Sequence, residues 1–212
     1  MKKIISLICL ATIVGCIDGQ SESTSMRETG YFGVKLGVNY SNVYDTKGDN
    51  FVANPKFGLA TGVFFTIPIN KVIGIQVELL YSQKGFKSSG TLFGDNYGLT
   101  RTTSFIDLPV LLAIKPSENI TLLAGPQYAY HIKQKDEISY GTSSVLQEQE
   151  FNNENVRKNI LCFVAGFDIN HNHSVLGARV GWDIQNNKGD GTSSTPRYKN
   201  VWYQFTIGYR FY

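Results

Sequence analysis

Apolar and polar residues alternate strictly over stretches of about ten residues that recur from near residue 30 to the end of the chain. In YFGVKLGVNY, residues 31–40, large apolar or aromatic residues alternate with Gly, Lys and Asn. Successive side chains of a β-strand point to opposite faces, so this period of two predicts strands and not helices. Eight segments share the pattern: residues 31–40, 57–67, 73–82, 104–114, 119–132, 159–169, 174–184 and 201–211.

The connections between these segments alternate in length. Short joins are expected around residues 70–71, 116–119 and 170–173. The other joins are long and polar, at residues 41–56, 83–103, 133–158 and 186–199. Short turns at one end and long loops at the other are typical of outer-membrane barrels, whose long loops face outward.

The two faces of each predicted strand differ in bulk. One row is large and apolar, and the interior of an eight-stranded barrel has too little room for so many large groups. The other row carries Gly in nearly every strand, which relieves crowding inside a narrow barrel. Aromatic residues gather near the strand ends, as an interfacial girdle requires: Tyr40, Phe57, Tyr81, Tyr128, Tyr130, Trp182, Tyr203 and Tyr209.

These features predict an all-β protein, a closed antiparallel eight-stranded transmembrane β-barrel with its apolar row in lipid. A spanning sheet must close because no water in the bilayer core can satisfy an open edge. The alternative is a soluble ligand carrier with the apolar row inside. Pro109 and Pro126 each remove a ladder donor in mid-strand, so a local bulge is expected where their strands pair.

The N-terminus has the features of an export signal. Lys2 and Lys3 precede the apolar run IISLICLATIVG, which is too short to span a membrane as a helix. Two kinds of processing stay open: ordinary cleavage after residue 19, or a lipoprotein signal of residues 1–15 with Cys16 lipidated. We expect residues 20–29 to form a short periplasmic segment and residues 30–212 to form the barrel.

Composition excludes several classes of function. Charged residues make up 17% of the chain, below the roughly 25% of soluble domains. The basic residues are scattered singly, which gives nucleic acid no basic patch to bind. Outside the leader region only Cys162 remains, so neither a disulfide framework nor a cysteine metal site is expected.

Charged residues also occur in the row predicted to face the lumen. Buried charges are costly unless they are paired, so we expect an interior network of ion pairs that forms a polar plug. A proton or ligand pathway is the alternative. The predicted members are Lys35, Glu78, Asp107, Arg179, Asp183 and Arg210.

No motif for catalysis, phosphate binding or zinc binding is present. We therefore expect no cofactor, no metal and no enzymatic activity. A lipid-modifying barrel enzyme is the weaker alternative. It would use His131 with a partner such as Ser82, Glu137 or Ser139 near the outer end of the barrel.

Six motifs in order resemble the outer-membrane protein β-barrel domain family, the porin-like and PorT-related proteins of Gram-negative bacteria. They are GVKLGVNYSN, IQVELLYSQKGF, FIDLPVLLAIKP, LLAGPQYAY, GARVGW and the terminal FTIGYRFY. The resemblance implies a closed barrel of OmpA or OmpX size in the cell outer membrane. One type of member takes part in protein secretion, so a component of an export or surface-assembly machine is an alternative function.

The last strand is expected to carry a signal for the outer-membrane barrel assembly machinery: Tyr203, Phe205, Ile207, Tyr209 and Phe211. The usual signal ends on its terminal aromatic residue, whereas here Tyr212 follows Phe211. We expect a monomer in the outer-membrane bilayer with a plugged polar interior. Its role would be structural or surface interaction through long external loops.

Overall fold

The structure is a computed structural model that describes residues 30–45, 53–92, 95–140, 143–150, 157–187 and 198–211. The predicted leader, both of its processing sites, the segment 20–29 and Tyr212 lie outside these residues. Within the described part of the chain, no helix has the length and apolar character needed to cross a bilayer.

The described residues form nine antiparallel strands in one sheet that closes on itself. The barrel wall consists of β1 (Tyr31–Asp45), β2 (Asn54–Pro68), β3 (Ile73–Leu92), β4 (Asp95–Ile114), β5 (Ile120–Tyr140), β7 (Asn159–His171), β8 (Ser174–Asp183) and β9 (Tyr198–Phe211). Pairing of β1 with β9 and of β4 with β5 completes the ring. The predicted closed eight-stranded barrel is therefore confirmed.

The remaining strand, β6 (Ser143–Glu150), lies outside the ring and pairs with the far half of β5. β3, β4 and β5 also run well past their predicted ends, so most of the expected loops 83–103 and 133–158 is sheet. The loop prediction was wrong here because a sheet surrounded by water carries polar residues on both faces. The alternation of apolar and polar residues, which was the signal for a strand, is then absent from the sequence.

We call the end of the barrel with the short connections the turn end and the opposite end the loop end. The turn-end joins lie at residues 69–72, 115–119 and 172–173, as predicted. Asn172 takes a positive φ of 48° in the tightest of them, a conformation that Asn tolerates better than most residues. At the loop end β3, β4, β5 and β6 form a four-stranded extension of the sheet.

The expected bulge at the two prolines is absent. Pro109 pairs with Gln127 and Leu112 with Ala124 in one continuous register, whereas the two residues between Pro109 and Leu112 do not pair with β5. The unpaired stretch contains Pro126 and borders Pro109, so the wall accommodates both prolines by leaving out pairings and not by a bulge. The register of β4 with β5 shifts instead between Ser104 and Phe105, farther toward the loop end.

The large apolar row faces outward and the polar row inward. Phe57 is 66% exposed and Ile207 is 62% exposed on the outer wall, whereas Glu78 is 1% exposed in the lumen. This outer row forms an apolar belt, which ends toward the loop end at Tyr40, Phe57, Tyr81, Ile106, Tyr130, Leu161, Trp182 and Tyr203. Such a surface suits hydrocarbon and not water. The soluble-carrier alternative required the opposite orientation.

Two glycines permit close approach of neighbouring strands. A Cβ built on Gly37 would lie 1.9 Å from the carbonyl oxygen of Phe205, and one on Gly62 would lie 2.0 Å from that of Leu79. In both cases the clashing atom belongs to the backbone, which cannot move away by changing a rotamer. The packing of this narrow wall therefore depends on residues without side chains at these positions.

Candidate functional site

An ion-pair lattice crosses the middle of the lumen. Arg179 on β8 donates from Nη1 to Glu78 Oε1 and Oε2 on β3 at 2.7 and 2.6 Å. Lys35 Nζ on β1 lies 2.8 Å from Glu78 Oε2. Arg179 Nη2 contacts both oxygens of Asp168 on β7 at 3.4 and 3.3 Å. Two cations and two carboxylates from four strands thus neutralise one another in a buried position.

Glycines on neighbouring strands give this lattice its room. Lys35 pairs with Gly62 on one side and Gly208 on the other. Gly166 lies beside Arg179, where a Cβ would approach the Arg179 side chain to 2.8 Å. The glycines of the inward row therefore mark where the long charged side chains lie.

Neutral hydrogen bonds continue the network along the barrel axis. Toward the turn end, Gln76 donates to Glu78 Oε1 at 2.7 Å and accepts from the Thr66 hydroxyl at 3.0 Å. Toward the loop end, Gln204 donates to Asn39 at 2.9 Å, and Asn39 donates to the Ser82 hydroxyl at 2.8 Å. These side chains thus satisfy one another in layers above and below the ion pairs, as a water-poor interior favours.

A second ion pair lies nearer the loop end. Lys84 Nζ is 2.9 Å from Asp107 Oδ2, and both side chains are buried. The same Nζ lies 3.8 Å from the ring centre of Trp202 and 4.8 Å from that of Phe105. Both aromatic faces attract the cation. Lys84 is therefore held by one carboxylate and two rings.

The hydrogen-bond partners of Asp183 and Arg210 are neutral groups. Asp183 accepts from the backbone and side-chain nitrogens of Asn200 at 2.8 and 2.6 Å and from the Cys162 thiol at 3.2 Å. At the turn end, Arg210 donates from Nε to the Asn172 carbonyl at 2.7 Å, and its guanidinium lies 5.4 Å from the ring centre of Tyr31.

The six predicted lumen charges are thus spread over several contacts. Lys35, Glu78 and Arg179 come together. Asp107 and Asp183 both lie close enough to Lys84 to interact with its charge, whereas Arg210 lies apart at the turn end. Sequence reasoning omitted Asp168 and Lys84 from the network. Asp168 was detectable because it lies in the polar row of its predicted segment. Lys84 was not, because it lies beyond the predicted end of β3.

The positions of the residues named for the catalytic alternative do not support it. His131 is buried in the lumen, with its ring centre 5.1 Å from that of Phe105. Glu137 is exposed on the opposite face of β5, and the Ser82 hydroxyl accepts a hydrogen bond from Asn39. In the described residues, no group of three His, Cys, Asp or Glu side chains could hold a metal ion.

A third polar cluster holds the sheet extension together beyond the apolar belt. Arg101 on β4 donates to both oxygens of Asp136 on β5, at 2.8 and 2.7 Å, and to the Tyr198 hydroxyl on β9 at 3.2 Å. The Phe86 ring of β3 packs edge-on against Tyr198. Burial is the largest cause that raises the pKa of Tyr198 above its ordinary value, although Arg101 opposes it.

The five residues of the predicted assembly signal lie in alternate positions of β9 and face outward. Tyr203, Phe205 and Ile207 are exposed in the belt. Phe211 stacks on Phe32 of β1 with ring centres 4.9 Å apart. The last strand therefore contributes to the belt and closes the ring against the first.

Solved structures of small outer-membrane barrels are similar to this chain. Ail, the attachment invasion locus protein of Yersinia pestis, shows a TM-score of 0.50 and 14% identity, covering 86% of this chain and 99% of that one. Neisserial surface protein A shows 0.47 and 11%, with 87% and 100% covered. OprG of Pseudomonas aeruginosa shows 0.36 and 12%, with 86% and 96% covered. At such identities the likeness to Ail speaks for the fold alone.

No curated protein matches the sequence. The sequence profile of the outer membrane protein beta-barrel domain matches residues 20–187, which is most of the chain. Together with the closed wall and its apolar belt, this match decides the class of protein. The chain belongs to the outer membrane protein beta-barrel domain family and is an integral protein of the cell outer membrane.

Proposed function

We propose that this protein is a monomeric barrel with a plugged lumen, which holds its loop-end sheet extension outside the cell for structural or surface-interaction roles. The observation that carries the proposal is the lattice of Lys35, Glu78, Arg179 and Asp168. It spans the lumen from four strands with ion-pair distances of 2.6–3.3 Å. Side chains bound in this way leave no continuous aqueous path, in contrast to the water-filled lumen of a porin.

Ion conductance of the purified protein in planar lipid bilayers tests the plug. We expect no steady channel current, while a general porin incorporated in the same way conducts. A stable open channel in the wild-type protein would contradict the plug. Replacing the bulky members by R179A/E78A should introduce current, which would assign the block to these side chains.

Thiol labelling of intact cells tests the orientation. Gly98 lies in the extension at the loop end, whereas Lys71 lies in a turn at the other end. A membrane-impermeant maleimide should label G98C and not K71C, because on this proposal only the loop end is outside the cell. The buried thiol of Cys162 contributes little background. Labelling of K71C alone would place the extension in the periplasm and end the proposal of a surface role.

A role in an export or surface-assembly machine stays a prediction from the family resemblance. Extraction in mild detergent followed by purification would separate it from a free-standing barrel. A stable stoichiometric complex would favour the machine, and a monomer would favour the role proposed above.

A further inference from the structure

Two buried cations share one aromatic ring at the turn end of the lumen. Tyr31 is the first residue of β1, Lys115 directly follows β4, and Arg210 lies next to the end of β9. Lys115 Nζ is 5.3 Å and the Arg210 guanidinium carbon 5.4 Å from the ring centre of Tyr31. Tyr31 is 5% exposed, and both cations are 6% exposed. We call these three residues the turn-end mouth.

The contacts of Arg210 leave its charge in place. Within the described residues, its Nε and Nη2 both donate to the Asn172 carbonyl, and its Nη1 lies 3.4 Å from Asn170 Oδ1. These acceptors are neutral, and the Tyr31 ring attracts a cation without carrying a net charge. Arg210 and Lys115 also repel each other across that ring. A carboxylate placed beside both cations would therefore be favoured, because opposite charges stabilise each other most where water is scarce.

The ion-pair lattice does not supply that carboxylate. Glu78 and Asp168 are already paired with the cations of the lattice. The Phe64 ring lies between the two regions, since Lys35 Nζ is 5.2 Å from its centre and the Tyr31 ring packs edge-on against it at 6.3 Å. An apolar layer thus separates the lattice from the turn-end mouth. The partner of the mouth must come from outside the lattice.

The chain that leads into β1 carries suitable groups. Glu28 precedes Tyr31 by three residues, so its backbone lies within about 10 Å of the start of the strand. Residues 20–29 contain Glu22 and Glu28 against a single cation, Arg27, and both kinds of processing predicted above retain them. A carboxylate on so short a tether has an effective concentration of roughly millimolar or more, which favours it over free anions.

We propose that the turn-end mouth binds residues 20–29 of this chain, with the Glu28 carboxylate between Lys115 and Arg210. Charge complementarity and the length of the tether select this occupant. The start of the exported chain then lies across the turn end of the lumen and does not extend away from the barrel. The contact uses none of the lattice residues, so it stands or fails independently of the plug.

Cross-linking with a water-soluble carbodiimide tests the contact directly. This reagent joins a carboxylate to a neighbouring amine as an amide. In the folded protein extracted from outer membranes into detergent, peptide mass spectrometry should find Glu28 joined to Lys115. Lys71, exposed in another turn of the same end, should be joined to Glu28 far less often. Absence of the Glu28–Lys115 product would overturn the proposal, as would joining of Lys115 to a carboxylate of another protein.

The rate of thiol labelling tests whether the segment covers the mouth. Thr121 is 2% exposed, and its hydroxyl accepts from Asn170 at 3.0 Å beside Arg210. In detergent, a maleimide should label T121C slowly and E28Q/T121C several-fold faster, because the segment is then held less tightly. The matched control E118Q/T121C removes the same charge from an exposed turn-end position and should label as slowly as T121C.

Exchanging the charges separates a specific contact from a loss of stability. E28K/T121C should label fast, and E28K/K115E/T121C should return to slow labelling because the pair is restored with opposite signs. All variants should keep the heat-dependent gel migration of a folded barrel. Equal labelling rates for E28Q/T121C and E118Q/T121C, or no rescue by the charge exchange, would overturn the proposal.

Discussion

Glu78 and Arg179 lie 101 residues apart in the sequence, yet Arg179 Nη1 approaches Glu78 Oε2 to 2.6 Å across the lumen. Lys35 shares the same carboxylate oxygen at 2.8 Å. One glutamate on β3 thus neutralises two cations, Lys35 on β1 and Arg179 on the opposite wall at β8. Because the three groups are buried, removing one leaves the others without compensation.

Glu78→Gln should therefore destabilise the barrel strongly. It leaves Lys35 and Arg179 facing each other with Asp168 as the remaining carboxylate of the lattice, and a broken buried ion pair costs about 3–5 kcal/mol. Urea unfolding in detergent, followed by heat-dependent gel migration, measures the free energy of unfolding. The control E118Q removes the same charge from an exposed turn-end position and should change stability by less than about 0.5 kcal/mol. Equal stability of E78Q and the wild type would show that the lattice contributes nothing.

The pair of Lys84 and Asp107 permits a double-mutant cycle. K84M keeps the apolar stem against Trp202 but leaves Asp107 charged and unpaired, and D107V leaves the Lys84 ammonium with its two aromatic rings. Each single variant should lose about 3–5 kcal/mol, whereas K84M/D107V should lose clearly less than the sum. Additive losses would mean that the 2.9 Å contact carries no coupling energy.

The same lysine shows why part of the lumen could not be predicted. Within the belt, apolar residues face lipid and polar residues face the lumen, so the two kinds alternate along each strand. The strands, the face on which each residue lies and the inward row containing Lys35 and Arg179 could be predicted from this alternation. Beyond the belt water lies outside the sheet, so the sequence around Lys84 loses this alternation although the strand continues. Pairing partners across the ring, such as Glu78 with Arg179, depend on closure geometry that periodicity does not contain.

Alkaline pH should loosen the sheet extension through Tyr198. In the folded state the pKa of Tyr198 is raised, chiefly by burial, whereas an unfolded tyrosine ionises near 10. The unfolded state therefore loses its proton first, so this contribution to stability is complete below about pH 10 and declines as pH rises toward the folded value. Cleavage of the extension by subtilisin should accelerate over that window.

Y198F isolates this effect. It keeps the ring against Phe86 but removes both the ionisable hydroxyl and its 3.2 Å hydrogen bond with Arg101. The cleavage rate of Y198F should start higher than that of the wild type. It should rise less between about pH 9 and about pH 11.5, the range around the ordinary pKa of tyrosine. Y203F, at an exposed belt position, should follow the wild type. A steep rise in Y198F would assign the alkaline loosening to other groups.

Phe211 is expected to matter for assembly more than for the stability of the finished barrel. It stacks on Phe32 where the last strand meets the first, and it is the aromatic residue nearest the C-terminus among the described residues. F211A should lower the amount of folded protein in the outer membrane several-fold while refolding in detergent stays efficient. F205A removes an equally outward ring from the middle of the same strand and should assemble nearly normally. A chain made to end at Phe211 should preserve or raise the assembled amount. Equal assembly of F211A and F205A would show that the terminal aromatic position carries no special signal, and the five outward residues of β9 would then serve the belt alone.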